Sequence, residues 1–269
     1  MITDNYISSL QNPKIKRLIQ LQQKSSDRRK EQLFVVEGHR ELFHCIEGGY
    51  VIDSVFTCPD FLNDEATKLI NLLDGNTSKY IVSNKVYERI AYRGTTEGLI
   101  ALVRMRDVTL NDLKLSDSPL IVVLERVEKP GNLGAILRSA DAAGVHAVII
   151  CDPLTDIFNP NLIRSSIGAV FTVPCLTCSS EECIAFLTSK GINILTAQLQ
   201  DSSLYYNINM KRPTAIVMGA ESTGLTSLWR DAADAHIRIP MLGKMDSLNV
   251  STSAAILLYE AVRQREEGL

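Results

Sequence analysis

No apolar run in this chain reaches membrane-spanning length, and its first residues lack the charged, apolar and small-residue order of a secretory leader. These absences point to a cytoplasmic protein. Six cysteines among 269 residues are too few for a disulfide framework, so reduced thiols are expected. Cys175, Cys178 and Cys183 lie close together, but no second half-site of Cys or His follows at zinc-binding spacing, and no metal is expected. The four histidines, His39, His44, His146 and His236, form no cluster, and none is assigned to catalysis. Trp229, the only tryptophan, reads as a residue that packs a helix onto the core. There is no internal repeat and no low-complexity tract. A net charge of −3 does not favour bulk attraction to nucleic acid, but its distribution is uneven. Residues 1–40 hold eight Lys or Arg against four Asp or Glu, or +4, which leaves −7 for the rest. A basic face carrying Lys14, Lys16, Arg17, Arg28 and Arg29 could still meet phosphate. A solvated helix face is the plainer alternative.

What is present is an ordinary globular composition, 45% apolar and 22% charged, with length enough for two cores. Asn12-Pro13 opens a helix lined by Ile15, Leu18, Ile19 and Leu21. Strand patterns at 33–37, 52–58, 79–82 and 98–103 alternate with helix patterns at 39–47, 63–73 and 84–91, with Asn84 as the last helix's cap. This describes a small α/β domain over 1–105. A polar stretch with scattered leucines, 106–118, reads as a linker. A second α/β domain, 119–269, follows with strands at 120–124, 146–151, 192–197, 214–219 and 236–239. These are nearly all apolar, as buried parallel strands are. Pro160 opens a helix carrying Arg164 and Ser165. Ser179 or Ser180, followed by Glu181 and Glu182, opens another. A long helix runs over 249–266.

Three strand-to-helix stretches stand out, and they are expected to meet at one site. Residues 131–140 place Gly131, Asn132 and Gly134 at a helix start, with Arg138 six residues beyond Asn132 among small and apolar neighbours. That helix reads as largely buried, so Arg138 needs a partner: a carboxylate such as Glu125, Glu128 or Glu221, or a substrate phosphate. The glycines are three apart and a third is missing, which disfavours a dinucleotide fingerprint and hence a nucleotide-dependent oxidoreductase. Residues 218–225 hold two glycines, two hydroxyls and Glu221 in a tight turn. Residues 239–255 pass from strand through a polar loop with Ser247 and Asn249 into the last helix. Tyr205 and Tyr206 sit in a polar loop, suited to stacking on bases or to packing over a ligand pocket.

Together these motifs resemble those of the SpoU (TrmH-type) RNA 2′-O-ribose methyltransferases of the SPOUT superfamily. The first is Asn132, Gly134, Arg138, Ser139 and Ala140. The second is Gly219, Glu221, Gly224 and Leu225. The third is Ile239 to Met241 with Ser247 to Ser251. Asn12-Pro13, Ile15-Lys16 and 34–38 resemble the substrate-binding domain that precedes the catalytic domain in many members. The resemblance implies an α/β RNA-binding domain followed by a SPOUT domain with a mostly parallel sheet and a C-terminal trefoil knot, dimerising through the latter. It implies S-adenosylmethionine held near Thr196, Ala197, Gly219, Ile239 and Leu248. It implies catalytic roles for Asn132, Arg138, Glu221, Ser247 and Asn249, and RNA contacts from Arg164 and Ser165 besides the basic N-terminal residues. Ribosomal RNA, 23S in particular, is the implied substrate. A tRNA substrate and a non-catalytic RNA-binding or ribosome-assembly factor are the alternatives.

Overall fold

A computed structural model describes residues 5–73, 75–92, 97–244 and 246–266. The chain forms two compact units. The first takes the residues up to Asp107 together with Asp156–Thr172, and the second takes Val108–Thr155 and the chain from Val173 onward.

The first unit contains β1 (Tyr6–Ile7), α1 (Pro13–Gln23), α2 (Ser25–Glu31), β2 (Leu33–Glu37), α3 (His39–Glu47), β3 (Ile52–Thr57), α4 (Asp64–Leu72), β4 (Ser78–Val82), α5 (Asn84–Ile90) and β5 (Leu99–Arg104). Its five-stranded sheet has the order β1-β4-β3-β5-β2. The β2–β5 and β3–β5 pairs are antiparallel and the other two parallel. Asn12 starts α1 as expected: its side chain accepts the Lys14 amide at 2.9 Å, and Pro13 is the first helical residue. Ile15, Leu18 and Leu21 are buried on one face, and Lys14, Lys16 and Arg17 are exposed on the other. The cap of α5 is Ser83 rather than Asn84. Ser83 Oγ accepts the Val86 amide, and Asn84 instead donates to Asp60 at 2.7 Å.

The chain continues through β6 (Leu120–Glu125), α6 (Pro130–Ala142) and β7 (Ala147–Cys151) of the second unit. Next come α7 (Pro160–Ser165) and α8 (Ala169–Thr172), which belong to the first. The second unit resumes with β8 (Cys175–Cys178), α9 (Ser180–Ser189), β9 (Asn193–Ala197), β10 (Ser203–Leu204), β11 (Thr214–Met218), α10 (Ser227–Ala232), β12 (Ala235–Arg238) and α11 (Val250–Glu266). Its seven-stranded sheet has the order β10-β12-β9-β11-β6-β7-β8, and every ladder is parallel. Strands β6, β7 and β11 are buried along their whole length, which explains why they are apolar apart from Glu125 at the end of β6 and Thr214 at the start of β11. Trp229 is fully buried under this sheet's helices and donates to Ser180 Oγ at 2.9 Å. In the stretch 106–118, Val108, Leu110, Leu113 and Leu115 pack against the core of this second unit. α11 lies on α6, and its Arg265 donates to the carbonyls of Ser118 and Met210, tying the last helix to the chain entering β6 and β11.

Arg28 corrects an expectation. It is only 2% exposed and cannot serve an RNA face. Its guanidinium donates to Asp156 Oδ2 at 2.7 Å and to the Leu21 carbonyl at 2.7 Å. This pair, and the stacking of Phe34 on Phe158 (4.4 Å between centroids) and on Phe171 (5.7 Å), attach Asp156–Thr172 to the first unit. The sequence around Arg28 is uniformly charged, so nothing in it marked this one residue as buried. Arg28→Ala removes the buried guanidinium and leaves the half-buried Asp156 carboxylate without its cation, and it is expected to lower unfolding stability by about 3 kcal/mol. The exposed Arg29→Ala should stay within about 0.5 kcal/mol of the parent. Denaturant titration of the two variants separates the roles.

Candidate functional site

The three motif stretches occupy C-terminal strand ends of the second sheet, where parallel α/β sheets leave crevices. After β6, Pro130 is the first residue of α6, which puts Asn132 in its first turn. After β11 the chain doubles back: Ala220 and Gly224 form an isolated bridge, and the Gly224 amide donates to the Ala220 carbonyl at 2.8 Å. Gly224 has φ +67°, a conformation natural to glycine. Gly219 packs so closely on the Gly224 backbone that a Cβ there would collide with it. After β12 the loop ends at Asn249, whose Oδ1 accepts the Ser251 amide at 2.9 Å and the Ser251 hydroxyl at 2.6 Å, fixing the start of α11.

Side chains from the three loops converge on one carboxylate. Glu221 Oε2 receives Lys129 Nζ, and its Oε1 receives the Asn132 amide. The Asn249 amide donates to Glu221 Oε1 at 3.2 Å and lies 3.2 Å from Asn132 Oδ1. The hydrogen bond and charge of Lys129, with the Asn132 amide, hold the Glu221 carboxyl below its ordinary range. Asn132, Glu221 and Asn249 are thus joined, as the sequence suggested. Lys129 was not anticipated, because a lysine before a helix-opening proline looks like any solvated lysine.

Beside this cluster lies a cleft of about 590 Å³. Gly219, Glu221, Ser247, Leu248, Asn249 and Ala197 all line it, and so does Lys129. An adjoining recess of about 150 Å³ takes in Ile239, Leu248, Ala197 and Leu257. Thr196 departs from the expected lining. It is fully buried, its hydroxyl 2.6 Å from His236 Nδ1, and it lines neither hollow. Gln198 lines both, and its buried Oε1 has no hydrogen-bond partner among the described residues. A buried acceptor left unpaired is costly and suits a ligand that brings a donor. The apolar recess, the orphaned acceptor and the polar rim together fit an adenosine-sized group.

The remaining candidates lie elsewhere. Arg138 is exposed rather than buried: helix α6 turns Leu133, Ile136, Leu137 and Ala140 inward and presents Arg138 to solvent. No carboxylate pairs with it among the described residues. Arg164 and Ser165 belong to the first unit. Arg164 sits 5.4 Å from the Tyr92 ring and lines a 110 Å³ hollow with Glu37, Glu41 and Glu97, while the Ser165 hydroxyl donates to the Leu162 carbonyl. Three carboxylates around Arg164 weaken it as a phosphate contact. Of the basic N-terminal residues, Lys14, Lys16 and Arg29 are exposed, and Arg17 is paired with Glu31. Tyr205 and Tyr206 pack edge to face on each other and line neither hollow.

A parallel α/β domain with a polar cluster and a deep cleft at its strand ends is a ligand-binding and catalytic architecture. Comparison with known proteins assigns it. Residues 119–259 match the family model of the SpoU rRNA methylases, and residues 12–101 match that of the MRM3-like substrate-binding domain. The chain belongs to the SpoU rRNA methylase family. It is 27% identical to a 23S rRNA (guanosine(2553)-2′-O)-methyltransferase, RlmP, of Bacillus subtilis, over 94% of this chain and 97% of the relative. A solved RNA 2′-O ribose methyltransferase matches at TM-score 0.84 and 38% identity, over 97% of this chain and 99% of that one. The SpoU methyltransferase AviRb of Streptomyces viridochromogenes, solved with the cofactor AdoMet, matches at TM-score 0.87 and 27% identity, over 96% of this chain and all of that one. No helix among the described residues is long and apolar enough to cross a membrane.

Because Lys129 depresses the Glu221 pKa, the carboxylate and its bonds to both asparagines persist above the ordinary carboxylate range and are lost only as pH falls below it. Lys129→Met is therefore expected to move the acid limb of methyl transfer to higher pH, with little change above neutrality. A pH–rate profile of parent and variant checks this, and superimposable acid limbs would show that Lys129 does not govern Glu221.

Proposed function

We propose that this chain methylates a ribose 2′-hydroxyl of 23S ribosomal RNA, with S-adenosylmethionine as the methyl donor. The observation that carries the reading is the hydrogen-bonded Lys129–Glu221–Asn132–Asn249 cluster at the rim of a cleft with an apolar recess. The naming of the relatives as 23S rRNA 2′-O-methyltransferases supports the substrate. Gly219, Ile239, Leu248, Ala197 and Gln198 would hold the cofactor, whose contribution is a methyl on a sulfonium sulfur. Backbone and apolar side chains suit that cation, since a dry site favours a step that discharges it.

The protein's task is then to place the ribose in line with the methyl. Asn132 and Asn249, fixed by Glu221, would orient its hydroxyls, with Ser247 beside them on the cleft wall. Arg138, exposed and unpaired, would bind the nucleotide's phosphate and steady the developing alkoxide. A guanidinium carries five donors and no acceptor, which suits it to holding an anion and not to taking a proton. Lys14, Lys16 and Arg29, on the exposed face of the first unit, would hold the RNA backbone. Residues 1–105 would serve as the RNA-binding domain, 106–118 as the connection and 119–269 as the methyltransferase domain, with a trefoil knot at its C-terminal end. The match of residues 119–259 to the SpoU rRNA methylase family model supports the assignment of that domain. The working form would be a cytoplasmic homodimer joined through the second domain.

The test is methyl transfer from labelled S-adenosylmethionine into separated 23S, 16S and transfer RNA. Label is expected in 23S RNA, with Arg138→Ala and Asn132→Ala each lowering the rate by about 100-fold. Label in transfer RNA would overturn the substrate. Cofactor binding with no transfer to free or ribosomal RNA would mark a non-catalytic RNA-binding factor. In the same assay Arg138→Lys should lose most activity without shifting the pH profile, and full activity would remove the phosphate fork.

A further inference from the structure

The cysteines grouped by sequence are not the ones the fold groups. Cys175 and Cys178 are three residues apart on β8, so they point to opposite faces of the sheet. Cys151, twenty-seven residues before Cys178, closes β7 and is its register partner in the parallel ladder. Cys183 comes from the first turn of α9 and is fully buried against the same sheet face. The three Sγ atoms of Cys151, Cys178 and Cys183 all lie within 4.8 Å of one another.

We propose that Cys151, Cys178 and Cys183 form a three-thiolate site for one divalent, thiophilic d10 cation of the zinc type. The geometry fits without rearrangement of the chain. Metal–sulfur bonds near 2.3 Å require sulfurs about 4 Å apart, inside the observed spread. Three sulfurs with no fourth His, Cys or carboxylate in the group, among the described residues, select a soft ion and exclude calcium or magnesium. A divalent ion leaves the trithiolate at −1 and a monovalent one at −2. The smaller excess suits a place where the Asp152 and Glu182 carboxylates already act electrostatically on Cys178. The N-terminal end of α9, which supplies Cys183, offsets the remaining negative charge. Two of the thiols are buried and Cys178 is half-exposed, which leaves one side for entry and for a water as fourth ligand. The frame around the trio is already rigid: Ser180 donates to Asp152 at 2.5 Å and receives Trp229, and Ser179 and Glu182 close a capping box. No residue of the trio lines the methyl-transfer cleft.

The test titrates the reduced full-length protein with Zn²⁺ against a chelator of known affinity, with Cu⁺ in a parallel arm. Iodoacetamide protection of each cysteine is mapped by mass spectrometry. One Zn²⁺ per chain is expected, with Cys151, Cys178 and Cys183 protected, a rise in Tm that grows with free Zn²⁺, and tighter binding at higher pH as thiol protons are displaced. Cys178→Ser should lower Zn²⁺ affinity at least 100-fold with methyl transfer retained as the sign of an intact fold, and Cys175→Ala should bind as the parent does. Stoichiometric binding of Cu⁺ without Zn²⁺ would overturn the divalent assignment. Zn²⁺ binding unchanged by Cys178→Ser, no binding at all, or only a Cys151–Cys178 disulfide on air oxidation would overturn the site.

Discussion

One carboxylate joins three parts of the chain that are about ninety and thirty residues apart. Glu221 accepts Asn132 from the start of α6, Lys129 from the residue before it, and Asn249 from the residue before α11. Lys129, Glu221 and Asn249 sit on loops and Asn132 in the first turn of α6, and loops are the least determined parts of an α/β domain. The charge-assisted bond to Lys129 and the paired amides convert three independent loops into one surface. The cleft depends on that surface, because Lys129, Glu221 and Asn249 form part of its wall. The exposure of the cluster makes each bond modest in isolation, so its value is positional more than energetic.

The scaffold beneath explains how so exposed a cluster can be ordered. β6 and β11 are adjacent and paired over the whole of β11, from Thr214 opposite Leu120 to Met218 opposite Leu124. That register fixes where both following loops start. The Glu125 carboxylate accepts the Thr226 amide at 2.8 Å and its hydroxyl at 2.7 Å, pinning the far end of the Glu221 loop to the end of β6. Gly219 and Gly224 close the loop on itself in a space that admits no side chain at Gly219. The third loop is anchored from the other side, by Asn249 capping α11 and by Arg265 and Gln264 binding the Met210 segment at that helix's far end.

Most of this was readable before the fold was known, and the misses have physical causes. Long apolar runs, glycine stops and Asn or Ser caps placed nearly every longer strand and helix, because those signals are local. The two-residue strands β1 and β10 and the four-residue β8 carry too little pattern to be seen. Three motif stretches announced the cluster, since Asn132, Glu221 and Asn249 lie in unusual sequence contexts. Burial of single charged residues was not legible. Arg28 and Arg138 exchanged places with expectation, the first buried on Asp156 and the second exposed, because each depends on which neighbour the tertiary fold brings. The cysteine trio shows the same limit: β-strand periodicity separates Cys178 from Cys175, but only the β7–β8 pairing supplies Cys151.

The state of Glu221 also bears on how the reaction loses its proton. A general base needs a free lone pair aimed at the hydroxyl and a pKa near the working pH. Glu221 is poorly matched to this: Oε1 accepts both asparagine amides, Oε2 accepts the Lys129 ammonium, and its pKa is held below the ordinary carboxylate value. Asn132 and Asn249 do not titrate, and a guanidinium gives up its proton only at extreme pH. A cluster with this chemistry is suited to orientation, fixing amide donors and acceptors around a sugar while its own charge stays constant across neutral pH. With S-adenosylmethionine bound, the cofactor would supply the methyl and its positive charge, and the part left to these residues would be placement of the ribose. The adjoining recess offers apolar contact from Ala197, Ile239, Leu248 and Leu257 beside the polar Gln198, Asp246 and Ser247, a lining that suits a ligand with both apolar and polar parts.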